Sequence, residues 1–190
     1  IGVRARWFSI KKDKDGKTWI AESEKAYDEW RLAEKLKKMR ANGGGAWLDC
    51  DKLEGVTPHQ RAAAAIVTSE SVGILGGSAG TGKTFTLAQI IKLASKQFGQ
   101  SKIAGCAPCG KAAIRITQGL LACNADIEHA TTIHRLLRPQ RNGHDKSGWG
   151  FFFNEENLLP HDFIYCDESS MKDTSLAADL ICAMRDDAKL

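Results

Sequence analysis

"VGILGGSAGTGKTFTLAQIIKLASKQ", residues 72–97, runs from a short apolar stretch through a glycine-rich loop into a segment with apolar residues at helical spacing. The loop holds Gly77-x-x-x-x-Gly82-Lys83-Thr84, and its flanks predict a buried strand over 72–77 and a helix after it. Gly76, Gly77, Gly80 and Gly82 bring no side chains, so backbone N–H groups of the loop, that of Thr81 among them, can converge on an anion. The helix that begins near Lys83 adds the positive end of its dipole. Lys83 is placed to reach the β and γ phosphates of a nucleoside triphosphate, and the Thr84 hydroxyl to coordinate a divalent cation. ATP and Mg²⁺ are the expected ligands. The bland alternative, a glycine-rich turn without a ligand, does not account for a complete motif between a strand and a helix.

The same alternation recurs downstream. "KIAGCA" (102–107) and "DFIYCDE" (162–168) read as further strands, while "GKAAIRITQGLLA" (110–122) and "TSLAADLICAM" (174–184) read as helices. Short apolar strands alternating with helices predict an α/β fold with a mostly parallel sheet flanked by helices. Asp167 and Glu168 fall just past the carboxyl end of a strand, where such sheets place their ligands. Asp167 is expected to hold Mg²⁺, directly or through water, and Glu168 to polarise the water that attacks the γ-phosphate. A protein that only binds nucleotide has no use for the second carboxylate. The alternative is that both acids cap the turn at "SSMKD" (169–173).

"VTPHQRAAAAIV" (56–67) carries a helix start, with Thr57 as N-cap, Pro58 at the first position and Gln60 at the third. Gln60 either closes the capping box or reads adenine from the helix that precedes the phosphate loop, and the residues alone leave both open. "CAPC" (106–109) is a lone CxxC without a second pair or a histidine at ligand spacing, a weak metal signal. Gly110 and Lys111, at the strand-to-helix junction on the same sheet edge, are candidates for a nucleic-acid backbone phosphate. "TTIHRLL" (131–137) places Ile133, Leu136 and Leu137 on one helical face behind Thr131 or Thr132 as N-cap. His134 is left between a hydrogen-bonded structural role and a contact to DNA.

Across its 190 residues the chain is 43% hydrophobic and 26% charged, a globular composition, and its net charge of +4 permits a nucleic-acid partner without requiring one. No run of 18 apolar residues and no secretory leader are present, so no membrane span is expected. The six cysteines lack the spacing of a stapled domain and read as reduced thiols of an intracellular, cytoplasmic protein. Two units are expected: residues 1–50, a small α+β element, and residues 51–190, the α/β domain. In the first, "ARWFSI" and "KTWIA" flank a turn, and Ala26, Trp30, Ala33, Leu36 and Lys37 share a helical face. Lys11, Lys12, Lys14 and Lys17 suit a solvated hairpin face better than a phosphate contact, and "ANGGGAW" (41–47) reads as a linker. The missing initiator methionine and the plain ending suggest a piece of a longer protein.

Taken in order, "VTPHQ", "GGSAGTGKT", "APCGKAA" with "TTIHRLL", and "FIYCDESSM" resemble the first motor domain of superfamily 1B helicases, in particular the RecD-like family of the bacterial exonuclease V alpha subunit and related phage helicases. The resemblance covers about residues 22–185. It implies a P-loop NTPase fold of the RecA-like kind, incomplete here, and an ATP-dependent DNA helicase or translocase that moves 5′ to 3′ along single-stranded DNA. It makes Gln60 the adenine-reading residue and Gly110, Lys111 and the segment of His134 the single-stranded DNA contacts. It also calls for a second motor domain that these residues do not contain, so the chain alone is not expected to unwind DNA. The family's duplex-splitting hairpin has room only in "RPQRNGHDKSGWGFFFN" (138–154), whose Phe151, Phe152 and Phe153 can stack on bases or cover the core. Cys109 stands where the family usually has threonine, which weakens one phosphate contact. A loader of the AAA+ kind, a DNA packaging motor and a nucleotide-binding adaptor are the competing assignments.

Overall fold

Backbone pairing in the computed structural model, which describes residues 8–42, 45–78, 80–125, 128–141 and 149–190, yields a central sheet and two hairpins. The elements are β1 (Phe8–Lys12), β2 (Thr18–Glu22), α1 (Ser23–Asn42), α2 (Pro58–Val67), α3 (Lys83–Phe98), β3 (Ile103–Ala107), α4 (Gly110–Ala122), β4 (Thr131–Thr132), α5 (Ile133–Leu137), β5 (Pro139–Arg141), β6 (Trp149–Phe151), β7 (Phe163–Cys166) and α6 (Thr174–Cys182). The central sheet has the order β4-β3-β7, and both of its pairings are parallel. This is a mixed α/β domain with a parallel sheet, consistent with the expected P-loop architecture.

Period-two alternation along β7 sorts its side chains between two cores. Phe163 and Tyr165 pack with Ala88 and Ile91 of α3 and Ile116 and Leu120 of α4. Ile164 packs on the opposite face with Met39 of α1, Ile133 and Leu137 of α5, Leu180 of α6, and Met184 just beyond it. Both faces are covered, which is why the strand reads as continuously apolar. Gly105 in β3 makes this possible locally, since a Cβ there would lie 2.2 Å from the Tyr165 ring.

The strand expected over 72–77 does not form a regular ladder. Only its start is paired: the Leu190 N–H donates to the Ser71 carbonyl at 2.8 Å and the Gly73 N–H to the Leu190 carbonyl at 2.9 Å. Lys189 is bonded in turn to the β7 side, donating to the Asp162 carbonyl and accepting from the Ile164 N–H, each at 2.8 Å. Residues 189–190 therefore lie between β7 and residues 71–73 in a parallel sense. Beyond Gly73 no ladder partner exists among the described residues, and Ile74 is 85% exposed. Extended apolar residues without partners are not a strand, whatever their composition.

α1 also differs from expectation. The face expected from Ala26, Trp30, Ala33, Leu36 and Lys37 is rotated: Leu32, Leu36 and Met39 turn inward, while Trp30 is exposed and stacks on Tyr27 at 5.7 Å. Ion pairs accompany the rotation. Arg31 reaches Asp179 of α6 at 2.7 Å and Glu155 at 3.2 Å, Lys35 reaches Asp186 at 2.5 Å, and Ser175 donates to Asp28 at 2.5 Å. Leu32, Leu36 and Met39 themselves stand at i, i+4 and i+7, so the inward stripe has helical spacing, and the ion pairs to residues far away in sequence add to what fixes it. The expected linker over 41–47 includes residues 43–44, outside the described residues, while Leu48, Cys50 and Leu53 that follow it are buried in the α3/α4 core.

The N-terminal hairpin forms as expected, with Lys11 opposite Trp19, and Lys11, Lys12, Lys14 and Lys17 all solvent-exposed. The second hairpin pairs β5 with β6; residues 142–148 of the expected insertion lie outside the described residues. Phe151 and Phe153 pack against the α1/α6 core, whereas Phe152 is exposed and meets Phe153 edge-on at 5.0 Å.

Candidate nucleotide site and its neighbouring edge

Because every pairing from β4 to residues 71–73 is parallel, the segments that leave these strands emerge at one edge of the sheet. The phosphate loop, the turn at Asp167–Glu168, the start of α4 and the start of α5 all open there. This is the edge where parallel sheets bind ligands.

The loop is organised from within. Lys83 donates to the carbonyls of Gly77 at 2.6 Å and Ser78 at 2.7 Å, which folds its ammonium back over the loop. The Thr81 hydroxyl donates to the Ser78 carbonyl at 2.9 Å. Gly82, the N-cap of α3, has φ 80 and ψ 24, a left-handed conformation that costs a side-chain-bearing residue about 1–2 kcal/mol. A Cβ on it would also lie 2.4 Å from Nε2 of Gln60. Gly76 and Gly80, in contrast, face open space where a Cβ would touch nothing. An ammonium inside a concave run of backbone with open room beside its glycines fits a phosphate group. The exposed Thr84, whose methyl approaches Gly119 of α4, and the half-buried Asp167 are the oxygen donors that suit Mg²⁺.

Gln60 turns out to serve the loop and the helix together. Its carbonyl accepts from the Thr57 N–H at 2.9 Å and its own N–H donates to the Thr57 hydroxyl at 3.2 Å, a complete capping box. Its Nε2 donates to the Thr81 carbonyl at 3.4 Å, joining α2 to the phosphate loop. Arg61 fixes the preceding segment through the carbonyls of Cys50, Asp51 and Leu53 at 2.5–2.8 Å. A capping box reads from sequence; the reach to Thr81 does not.

The acidic turn is built differently. The Asp167 N–H donates to the Cys106 carbonyl at 3.0 Å, extending the β3–β7 pairing by one residue. Its carboxylate makes no hydrogen bond or ion pair among the described residues. Glu168 adopts φ 51 and ψ 40, and its side chain caps nothing in the short 3₁₀ turn over Ser169–Met171. The helix-capping alternative for the two acids is thereby removed. Asp173 instead caps α6, accepting from the Leu176 N–H at 2.7 Å. Among the described residues one ion pair reaches the turn: Arg115 Nη1 stands 3.8 Å from Glu168 Oε1. Sequence reasoning missed Arg115, although its place four residues after Lys111 sets both on one face of α4.

Gly110 and Lys111 begin α4 directly after β3, and Lys111 is exposed. The N-cap Cys109 is exposed and its thiol makes no capping hydrogen bond. Thr132 is the N-cap of α5, accepting from the Arg135 N–H at 3.2 Å. Ile133 and Leu137 are fully buried, but His134 is exposed. It meets Phe151 edge-on at 5.7 Å and makes no hydrogen bond among the described residues, so the hydrogen-bonded structural role expected as one option is not what the fold uses. All six cysteines are free. Cys106 and Cys166 sit directly opposite each other on β3 and β7. A hydrogen bond from the Cys106 thiol, and after it the Lys172 ammonium, hold the Cys166 thiol down at about 7 against burial, while Cys106 itself is pushed up by that hydrogen bond and by burial. No group of His, Cys, Asp and Glu among the described residues forms a metal cluster. No helix among the described residues is long and apolar enough to cross a membrane.

A family model described as an AAA domain matches residues 60–190. The RecBCD enzyme subunit RecD of Mycolicibacterium smegmatis is 34% identical over 171 residues, covering 82% of this chain and 30% of that protein. The RecBCD enzyme subunit RecD of Mycobacterium tuberculosis is 37% identical over 147 residues, with 70% of this chain and 24% of that protein covered. An uncharacterised protein of Methanocaldococcus jannaschii is 29% identical over 147 residues, with 75% and 12% covered. The chain thus spans less than a third of the length of each of these relatives.

Proposed function

Because the chain belongs to the AAA-domain family, within the superfamily of RecD-like and superfamily 1 helicases, we propose that it is the ATP-hydrolysing motor segment of a DNA helicase of the superfamily 1B, RecD-like kind. The observation that supports this is the shared edge: residues 71–73, which lead toward the phosphate loop, and β7, which ends at the Asp167–Glu168 turn, run parallel with residues 189–190 between them.

On this proposal, the backbone N–H groups of Gly77, Gly80, Thr81 and Gly82 cradle the phosphates and Lys83 exchanges its carbonyl partners for the β and γ phosphate oxygens. Thr84 and Asp167 would hold Mg²⁺, which would supply charge neutralisation for the phosphates. Glu168 accepts a proton from the attacking water and orients its lone pair along the line of displacement. Gln60 presents its amide toward adenine while its bond to Thr81 keeps the base-reading and phosphate-binding parts in register. Gly110, Lys111 and His134 meet single-stranded DNA at the same edge, so that strand contact and ATP chemistry share α4 and the strand ends. Movement 5′ to 3′ and the need for a second motor domain of the same polypeptide follow from the family likeness. The β5–β6 hairpin is the place for a duplex-splitting wedge, with Arg141 over the Trp149 ring at 5.7 Å as an exposed cationic and aromatic pair.

The test is ATP turnover by the full-length protein with and without single-stranded DNA, with Glu168→Gln as control. Stimulation by DNA in the wild type and loss of turnover in the variant are expected. ATP turnover indifferent to DNA would overturn the helicase assignment and favour a loader or another P-loop ATPase.

A further inference from the structure

We propose that Arg115 is a positioning residue for Glu168: without DNA it holds the carboxylate in an ion pair, and a nucleic-acid phosphate arriving at the start of α4 draws the guanidinium away and releases that carboxylate for hydrolysis. This rests on the ATPase and DNA-binding roles proposed above.

The geometry places the two residues across adjacent strands. Arg115 rises from α4, which follows β3; Glu168 lies just past β7; and the two strands are in parallel register through Cys106 and Cys166. The 3.8 Å contact is the ion pair that Glu168 makes among the described residues. Glu168 is one of three non-glycine residues there with positive φ, and its side chain has no capping bond to fix it. The direction of the carboxylate is therefore set by a loose contact and a constrained backbone.

Loose contact is what an exchangeable latch requires. The Arg115 side chain is 78% exposed and that of Glu168 39%, so water and salt reach both groups. A guanidinium binds a phosphodiester through paired, charge-assisted hydrogen bonds, a stronger arrangement than a single contact near 4 Å. Lys111, one helical turn before Arg115 on the same exposed face, would hold that phosphate within its reach. DNA arriving at α4 thus competes for the group that restrains Glu168, without any movement of the core.

The experiment is steady-state ATP turnover by the full-length protein at saturating ATP, with and without an oligothymidine strand, for the wild type, Arg115→Ala and Arg115→Lys. Arg115→Ala should raise DNA-free turnover about two- to fivefold, the range open to an exposed pair, and shrink the stimulation by DNA by the same factor. Arg115→Lys should fall between. Raising KCl without DNA should speed the wild type and leave Arg115→Ala flat, because salt screens only an intact pair. DNA-free turnover that is unchanged in Arg115→Ala, with only weaker oligothymidine binding, would make Arg115 a plain DNA contact and overturn the latch. A fall in DNA-free turnover would overturn it too, since Arg115 would then assist hydrolysis. A wild type that DNA does not stimulate is a different result: it removes the helicase assignment itself, and the latch with it.

Discussion

The phosphate loop and the acidic turn leave the same sheet edge but are held in opposite ways. The loop satisfies its own polar groups: Lys83 on Gly77 and Ser78, Thr81 on Ser78, Gln60 on Thr81 and Thr57. The turn leaves its carboxylates nearly unattached, with Asp167 unpaired among the described residues and Glu168 held by one exposed arginine. A preorganised cradle lowers the ordering cost of binding phosphate. Free carboxylates keep their lone pairs for a cation and a water. On the proposed function, the difference would separate binding, done by the shape of the loop, from hydrolysis, done by the turn once Arg115 lets Glu168 go.

Substitutions on the two sides should therefore fail differently. Glu168→Gln keeps the size and the left-handed turn but removes the proton acceptor. Turnover should fall about 10²- to 10⁴-fold with nucleotide affinity nearly unchanged, read by fluorescence of a labelled ATP analogue. If affinity and turnover fell together, the separation would be broken. Lys83→Ala should do the reverse, weakening nucleotide binding about 10- to 100-fold through loss of a charged hydrogen-bond donor. Binding by Lys83→Ala at the wild-type level would show that the backbone cradle suffices.

Gln60 tests the seam between α2 and the loop. Gln60→Ala removes half of the capping box and should cost about 1 kcal/mol of stability, visible as a lower melting temperature. If its amide also reads adenine, the variant loses its preference for ATP over GTP. A lower melting temperature with unchanged base preference would confine Gln60 to the cap and its link to Thr81.

How much of this could be read in the residues depends on how local each cause is. The phosphate loop, α3, α4 and the strand ahead of Asp167 rest on spacing within a few residues and on glycines whose conformations follow from having no side chain, so their positions emerged nearly intact. Residues 72–77 were misread because a strand is made by its partners, and the partner here, Leu190, lies at the other end of the chain. α1 was misread because it carries two overlapping stripes, and the one that turns inward is Leu32, Leu36 and Met39, seated beside Arg31 and Lys35 in their pairs with Asp179, Glu155 and Asp186. Arg115 escaped notice since nothing in "GKAAIRITQ" says that the next strand will bring a glutamate within reach.

The smallest effect concerns the floor of the acidic turn. Cys166 immediately precedes Asp167 and faces Cys106 across the β3–β7 pairing. The Cys166 thiol is held down at about 7, first by the Cys106 hydrogen bond and then by Lys172, so its thiolate fraction should grow as pH rises through the neutral range. Only the thiolate is nucleophilic, so alkylation by iodoacetamide, followed by peptide mass spectrometry, should accelerate as pH rises through about 7. Cys106→Ala removes the larger cause and leaves burial unopposed except by Lys172, so the midpoint should move upward. Lys172→Ala should move it in the same direction by less. A midpoint unmoved in Cys106→Ala would mean that the two sulfurs do not interact, and that the pairing of β3 with β7 is looser beneath Asp167 than its backbone register implies. Because Asp167 inherits its position from that pairing through the Cys106 carbonyl, the same result would weaken the case for a preset metal-binding carboxylate at this edge.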